Sequence, residues 1–486
     1  MKSSTSQLVG LSAIELSEVI RTRKTSCVEV MQAYLNHIER HNFSMTALVS
    51  LRSTEQLLSE ATRCDAELSA GNYRGWMHGI PHAIKDLSNA KGLVTTSGSP
   101  IFEKLIAKHD DIHVARIRAA GAILIGKTNV PEFGLGSQSY NPVFGVTANA
   151  WNPEKTAGGS SGGAACGLAM QMLPVADGSD FMGSLRNPAA FNNVIGFRPT
   201  PGRIPLNSAF TEELACNGPM GRNVSDTAML LSTMAGFHPH YPTSLNEKPD
   251  VFTRNLKRDW QHTRIGWLGD FDGYLPMDPG ILPLCEGALQ GFRDIGCTVD
   301  SARPEYPVNE LWHTWLTLRH WLTAAKAAPL YTNVRTREQL KPEMLWEIEG
   351  ASNLTAEDVA AASAARGAWY QAIAKLFEKF DFLVLPTAQV FPFNKQTHWP
   401  NQINGSPMDT YHRWMEVVIA GTLAGTPVIN VPAGFSNHPN SKGLPMGLQI
   451  ICKRYADFEA LQIAYAYEQA TRWNLDHRPP ALQARN

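Results

Sequence analysis

The sequence has few cysteines, and none of them sits in a recognised cysteine motif. The seven cysteines are scattered over 486 residues and are odd in number. No Cys-x-x-Cys pair occurs, so the pattern predicts neither a zinc cage, nor a redox motif, nor a secreted disulfide framework. Cys166 lies in a run of alanine and glycine and is expected to be a small core residue.

Long apolar runs are also absent. No stretch of about 18 apolar residues occurs, so no membrane-spanning helix is expected. Charged residues, among them Glu15 and Arg21, interrupt the N-terminal stretch, so it does not have the pattern of a signal peptide. The simplest location for the protein is the cytoplasm.

An excess of one charge is the third thing the sequence lacks. Lysine and arginine number 43 against 44 acidic residues, so the basic footprint of a nucleic-acid binder is missing. No long basic run suggests contact with an anionic membrane. A small molecule is therefore the expected partner, without nucleic acid or membrane, and a homodimer is left open.

The sequence does contain enough hydrophobic residues to form a large core. Hydrophobic residues make up 43% of the chain and aromatic residues 9%, with 12 tryptophans, so disorder is not expected. Residues 11–41 read as helix, break, helix, because Ser12 with Glu15 and Ser26 with Glu29 have the capping-box spacing.

Local patterns further along the chain predict alternating strands and helices. Helices are predicted at 112–120, 164–172 and 456–472, the last of these ending the fold, and strands at 82–87, 122–125, 173–176, 382–385 and 428–431. Such alternation favours an α/β fold with a mixed or parallel sheet covered by helices. Residues 302–380 differ, because they are mostly helical in pattern and rich in tryptophan.

Length alone suggests two or three domains. However, the chemically interesting residues all fall within about 100 positions, so we predict one large domain over 1–486. Its parts are a helical N-terminal part at 1–75, a core at 76–235 and a variable helical insertion that binds substrate at 300–410.

Two serines and one lysine lie in segments suited to acyl transfer. Serine hydroxyls need a base within hydrogen-bond reach, and a lysine can be that base only when neutral. Burial can bring a lysine pKa from about 10.4 to about 7–8. Ile84 and the strand-like context suit such burial, and Asp86 is expected on the opposite face of the strand. The three residues and their segments are Lys85 in Gly79–Asp86, Ser160 in Gly158–Gly163 and Ser184 in Gly178–Pro188.

The turn before Ser184 offers the other part that acyl transfer requires. A tetrahedral intermediate needs backbone N–H groups aimed at its oxygen. The amides of Phe181, Met182, Gly183 and Ser184 could supply them. In the same segment Arg186 is expected to pair with Asp180 and anchor the turn.

Each segment alone has a plainer interpretation. A Gly-Gly-Ser-Ser-Gly-Gly run is most often a flexible loop, and a single lysine is usually solvated. The Gly-x-Ser-x-Gly pattern around Ser160 matches a nucleophile elbow, but that motif requires a preceding strand and residues 151–157 read as a loop. No phosphate-cradling glycine motif is present.

Taken together, the segments have a clear counterpart: the chain resembles the amidase signature family. Outside roughly 240–375 the resemblance covers most of the chain. It rests on Gly79–Asp86, Gly126–Phe133, Gly158–Gly163, Gly178–Pro188, Gly196–Thr200, Gly218–Arg222, Asp381–Thr387, and Gly425–Pro427 with Gly447–Gln449.

The resemblance implies an α/β/α sandwich around a large twisted mixed sheet, and hydrolysis of carboxamide bonds without metal or cofactor. It makes Ser184 the nucleophile and Lys85 the base. Ser160 corresponds to the bridging serine, which the family holds after a cis peptide bond. The resemblance also places Phe181, Met182 and Gly183 in the oxyanion hole.

One residue departs from the family pattern. The family turn reads Asp-x-Gly-Gly-Ser, whereas here Met182 precedes Gly183. If the backbone there needs a positive φ, methionine costs on the order of 1 kcal/mol. Otherwise its side chain could line the acyl pocket. The tRNA amidotransferase branch keeps both glycines, so Met182 weighs against it.

The substrate is left open among amides, aryl amides and carbamates. The segment Pro201–Arg203 is similar to urethane-cleaving members, so Arg203 is a candidate pocket residue, and Gly134 is a second one. Tryptophans in the insertion could stack on an aromatic substrate, although core packing is the more frequent role. The alternatives are a carbamate or ester specialist and an amidotransferase-like subunit that does not act alone.

Overall fold

The structure is a computed structural model that describes residues 5–206 and 214–483. Its helices are α1 Thr5–Gly10, α2 Ala13–Arg21, α3 Cys27–Met45, α4 Thr54–Ser69, α5 Ile112–Ala119, α6 Gly162–Ala169, α7 Arg186–Asn192, α8 Val224–Met234, α9 Ile281–Ala288, α10 Gln290–Asp294, α11 Glu310–Thr332, α12 Val334–Arg337, α13 Pro342–Ser352, α14 Ala356–Leu376, α15 Ile419–Ala424, α16 Asp457–Thr471, α17 Trp473–Asp476 and α18 Pro480–Gln483.

The strands are mostly short. They are β1 Leu48–Val49, β2 Pro81–Lys85, β3 Ile123–Thr128, β4 Tyr140–Asn141, β5 Gly145–Val146, β6 Val175–Asp180, β7 Ile195–Arg198, β8 Cys216–Gly221, β9 Arg264–Trp267, β10 Thr298–Ser301, β11 Phe382–Pro386, β12 Gln402–Ile403, β13 Ser406–Pro407, β14 Val428–Phe435 and β15 Pro445–Ile451.

A mixed eight-stranded sheet forms the centre, in the order β10-β9-β11-β15-β14-β7-β8-β6. β9 pairs in parallel with both β10 and β11, and the other neighbours are antiparallel. Helices pack against the sheet, for example α16 on β14 and α7 on β15. The predicted α/β fold with a large mixed sheet is confirmed.

A separate three-stranded sheet lies beside the large one. β2 pairs in parallel with β3, and β1 pairs with β3 from the other side in antiparallel register. All five residues of β2 are buried, and β2 packs against β6. The packing brings Lys85, the last residue of β2, next to the strand that leads into the turn before Ser184.

The predicted N-terminal helices are confirmed, and their starts have the expected capping boxes. The Ser12 hydroxyl accepts from the Glu15 amide, and the Glu15 carboxylate accepts from the Ser12 amide. Ser26 and Glu29 repeat this exchange at the start of α3. Two helix ends are thereby fixed by residues only three apart in sequence.

The tryptophan-rich segment is helical, as predicted, and contains α11 to α14. Trp315 and Trp369 are fully buried, so these two serve the core. One prediction was wrong: α16 is not the last helix, because α17 and α18 follow it. A left-handed backbone at Arg472 separates α17 from α16, and propensity alone did not indicate it. The division into a single domain with three parts stays a prediction.

All seven cysteines are buried and unpaired, Cys166 among them in α6. Within residues 5–206 and 214–483, no helix is both long enough and apolar enough to cross a membrane.

Candidate active site

Lys85 lies at the buried end of β2 with its amine among hydroxyl groups. Its side chain is 1% exposed. The Nζ atom lies 2.9 Å from Ser160 Oγ and 2.8 Å from Ser161 Oγ. It also lies 3.0 Å from the hydroxyl of Ser179 and 3.2 Å from its carbonyl oxygen. The peptide bond between Gly159 and Ser160 is cis, as the resemblance implied.

Burial lowers the pKa of Lys85 from 10.5 to about 7, while the carboxylates of Asp177 and Asp180 oppose this change. A lysine with such a pKa is neutral in about half of the molecules at pH 7. Lys85 can therefore accept a proton under neutral conditions, which an ordinary lysine does not do.

Asp86 was expected on the opposite face of the strand, away from the amine of Lys85. The structure agrees, because the Asp86 carboxylate does not pair with Lys85. Its carboxylate lies 3.7 Å from Lys127 Nζ and accepts a hydrogen bond from the Thr96 hydroxyl at 2.5 Å. Two buried lysines thus lie on adjacent strands, and only Lys127 has a direct carboxylate partner.

A buried carboxylate next to Lys85 was missed in the sequence. Asp177 Oδ1 lies 3.1 Å from His82 Nε2, and Oδ2 lies 3.5 Å from His113 Nε2. Both oxygens also lie 3.3 Å from the backbone nitrogen of Lys85. Burial by itself would raise the pKa of Asp177, but the imidazoles of His113 and His82 lower it below its usual range. His82 and Asp177 are 95 positions apart in the sequence, so no local pattern indicates this cluster.

Ser184 lies in the turn between β6 and α7. The Asp180 carboxylate accepts hydrogen bonds from the amides of Gly183 at 2.9 Å and Leu185 at 3.2 Å. Arg186 holds the same carboxylate through two nitrogens at 3.0 Å each, so the predicted anchoring pair is present. The carboxylate therefore fixes the backbone on both sides of Ser184.

The turn differs in one respect from the predicted oxyanion hole. The N–H of Gly183 is already bound to Asp180, which removes it as a free donor. Among the described residues, no acceptor is recorded for the backbone N–H groups of Phe181, Met182 and Ser184. These three amides are the ones the turn can offer to an oxyanion.

Met182 has a negative φ, so the methionine causes no backbone strain. The positive φ in this turn, 78°, is that of Gly183. The Met182 side chain is 3% exposed and packs in the main hydrophobic core. It is not among the described residues that line the cavity described next. The idea that it lines an acyl pocket is therefore not supported.

A cavity of about 580 Å³ opens above the serines. A volume of this size is in the range of small-molecule sites. Ser160, Ser179 and Ser184 contribute polar groups to it. Its other walls come mainly from apolar side chains, some of them on α11 and α13: Leu87, Phe102, Phe133, Leu135, Phe181, Leu206, Leu322, Leu330 and Met344.

The two candidate serines share the cavity without contacting each other directly. No hydrogen bond joins the Ser160 and Ser184 hydroxyls in this state, although both residues are described and both line the cavity. Hydrogen bonds between catalytic groups often tighten only when substrate is bound. The link between the serines therefore belongs to the mechanism proposed below.

The two predicted pocket residues have different positions. Gly134 lines the cavity with a φ of 72°, and a Cβ there would lie 2.7 Å from Leu87 and 3.7 Å from Ser160 Oγ. Arg203 is 3% exposed, is not among the described residues that line the cavity, and pairs with Asp457 at 2.9 Å and with Glu247. Its position is that of a buried ion pair, and a pocket role for Arg203 stays a prediction.

One group of metal-type ligands occurs away from the cavity. Ligand atoms of Cys64, Glu67 and His78 lie within 4.8 Å of one another. However, His78 Nε2 lies 2.9 Å from the Cys64 carbonyl, and Nδ1 accepts from the Arg74 amide at 3.3 Å. Arg74 also bonds the Glu67 carboxylate. Because these contacts occupy both imidazole nitrogens, the group supports no metal site.

Comparison with known proteins agrees with this geometry. The family model described as Amidase matches residues 29–461, so the chain belongs to the amidase family, and the resemblance seen in the sequence is confirmed. It is 32% identical to a glutamyl-tRNA(Gln) amidotransferase subunit of Thermosynechococcus vestitus over 486 residues, covering 95% of this chain and 98% of that protein.

Two further similarities place the chain among amidases. It is 31% identical to an acylamidase of Rhodococcus erythropolis over 475 residues, covering 96% of this chain and 97% of that protein. The solved structure of a bacterial aryl acylamidase of the amidase signature enzymes superimposes with a TM-score of 0.88 at 27% identity, covering 96% and 97% of the two chains. The protein is a hydrolase that acts on amide C–N bonds.

Proposed function

We propose that this amidase hydrolyses small or medium amides, aryl amides among them, through an acyl-enzyme on Ser184. Lys85 acts as the base and Ser160 carries the proton between them. The observation that carries this proposal is the buried amine of Lys85, 2.9 Å from Ser160 Oγ, at a cavity that Ser184 also lines. Ser179 also lines the cavity, with its hydroxyl 3.0 Å from Lys85 Nζ, and the family resemblance assigns the relay to Ser160.

In the acylation step the neutral amine of Lys85 takes the proton of Ser160. Ser160 then takes the proton of Ser184, and Ser184 Oγ forms a bond to the carbonyl carbon of the amide. The carbonyl oxygen becomes an oxyanion, which the free amides of Phe181, Met182 and Ser184 stabilise. Because the Asp180 carboxylate already fixes this turn, little reorganisation is needed when the charge develops.

Collapse of the tetrahedral intermediate breaks the C–N bond. Ser160 gives its proton to the departing nitrogen and recovers one from the Lys85 ammonium, so the amine leaves neutral. Water then attacks the acyl ester on Ser184, with the same base accepting its proton through Ser160. The bond between Ser184 Oγ and the acyl carbon breaks, and Ser184 regains its proton from Lys85 through Ser160. The products are a carboxylic acid and an amine, and the three side chains return to their starting protonation states.

The similarity to an acylamidase and an aryl acylamidase favours amides with an apolar acyl or aryl part. The phenylalanines and leucines of the cavity walls fit such a group. Carbamates and esters undergo the same acyl chemistry. Rates on a matched series of 4-nitroanilide, 4-nitrophenyl carbamate and 4-nitrophenyl ester will rank the three substrate types.

A second candidate function follows from the match to amidotransferase subunits over nearly their full length. In that case the chain would act only together with other subunits. Full anilide hydrolysis by the purified single chain would exclude this function.

The decisive experiment replaces the proposed nucleophile. Ser184→Ala should abolish anilide hydrolysis and covalent labelling by phenylmethanesulfonyl fluoride, while circular dichroism stays that of the parent. Ser232→Ala is the matched control, because Ser232 lies on α8 outside the described cavity lining and bonds only within its own helix. Turnover or labelling that survives in Ser184→Ala would overturn the proposal.

A further inference from the structure

The cavity wall contains one unusual residue, Lys326, which lies on α11. It is the single charged side chain among the described residues that line the cavity. Its neighbours in the lining, Leu322, Ala327 and Leu330, are apolar, and Thr323 is neutral. A positive charge therefore faces a space that is otherwise built for uncharged groups.

The ammonium of Lys326 has no charged partner in the part of the chain that the structure describes. Among the described residues, no carboxylate lies within ion-pair distance of Lys326 and no acceptor is recorded for its ammonium. Lys326 is an exposed residue that also lines the cavity. The surrounding protein still removes enough water to lower its pKa, and no charged neighbour contributes to that change.

A cation in partly dehydrated surroundings gains most from an anionic partner. An uncharged ligand that fills the cavity would take further water from the ammonium and give nothing in return. A carboxylate would replace the lost water with a charge-assisted hydrogen bond. A ligand with its own positive charge would be repelled.

We propose that the substrate is an amide with an apolar body and a carboxylate at one end, and that the carboxylate binds Lys326. The inference rests on the proposed function, because Lys326 lines the same cavity as Ser184. The apolar walls would hold the body of the substrate, and the serines would meet its amide.

The test compares substrates of similar shape that differ in end charge. On the acyl side these are glutaryl 4-nitroanilide, its neutral analogue hexanoyl 4-nitroanilide and the cationic 5-aminopentanoyl 4-nitroanilide. On the amine side they are 4-acetamidobenzoate and 4-methylacetanilide. In at least one series we expect kcat/KM for the anion to exceed that of the neutral compound by about tenfold or more.

Three variants connect this preference to the ammonium. Lys326→Met should bring the ratio of kcat/KM for the anionic substrate to kcat/KM for the neutral substrate close to one. Lys326→Arg should retain the ratio of the parent. Lys257→Met, which removes an exposed lysine that is not among the described cavity-lining residues, should leave the ratio as in the parent. High salt should reduce the ratio in the parent and leave it unaffected in Lys326→Met.

Equilibrium binding separates this inference from the catalytic one. In the Ser184→Ala background, calorimetry with the same compounds measures the carboxylate preference without any turnover. Tighter binding of the anion that disappears with Lys326→Met supports the inference, even if the parent hydrolyses nothing and the catalytic proposal falls. Equal affinity of anionic and neutral compounds in both series, or a preference that survives Lys326→Met, would overturn it.

Discussion

Replacing Lys85 by methionine should change how protein stability depends on pH. The side chain is 1% exposed, and its pKa falls from 10.5 to about 7 on burial. Between these two pH values the unfolded chain binds a proton that the folded protein does not bind. The contribution of Lys85 to the stability of the wild type therefore rises with pH across this window.

The size of the effect follows from the same shift. One pKa unit corresponds to about 1.36 kcal/mol. From pH 7 to pH 10 the term from Lys85 therefore adds about 3 kcal/mol to the free energy of unfolding. Lys85→Met lacks this term. It also loses the hydrogen bonds to Ser160, Ser161 and Ser179, but that loss is nearly the same at all pH values in the window.

Urea unfolding monitored by tryptophan fluorescence at pH 7, 8, 9 and 10 measures the effect. The quantity of interest is the stability of the wild type minus that of Lys85→Met, which should grow by about 3 kcal/mol across the series. Lys379→Met, at an exposed site, serves as the control and should follow the wild-type curve. Parallel curves for wild type and Lys85→Met would show that the amine is not dehydrated in the folded state, and the proposed base would lose its physical support.

Two further substitutions test the site and its surroundings. Gly183→Ala should reduce kcat at least about tenfold, because Gly183 has a φ of 78° and a new Cβ would lie 2.9 Å from Val418. Gly92→Ala, with a φ of 84° and open space around its Cβ, should keep wild-type kcat, and equal rates for the two variants would contradict the reasoning. Arg203→Met should lower stability by about 3 kcal/mol, since it removes the charged partner of the buried Asp457, which keeps its hydrogen bonds from Thr200. The ratios of kcat/KM between different substrates should not change in Arg203→Met. A changed ratio would indicate that Arg203 does contribute to substrate binding.

Features that depend on short sequence distances were predictable. The capping boxes at Ser12 and Ser26 need only residues three apart, and both formed. The pairing of Arg186 with Asp180 spans six positions within one turn and also formed. The burial of Lys85 was indicated by the apolar residues around it in a short strand.

Features that depend on packing between distant segments were not predictable. Asp177 lies beside Lys85 only because β2 packs against β6, and no local pattern reports that contact. The Gly183 amide looked like a free donor until the Asp180 side chain was seen to bend back to it. Lys326 is one of many lysines in the sequence, and only the fold shows that it faces the cavity.

The two sides of the cavity have separate origins in the chain. The serines and the base come from segments around the sheets, whereas Lys326, Leu330 and Met344 come from α11 and α13. Substitutions on α11 and α13 can therefore change the cavity wall without replacing a reacting group. A library of variants restricted to α11 and α13 should yield new substrate ranges from one unaltered reaction, which makes this scaffold a convenient starting point for directed evolution.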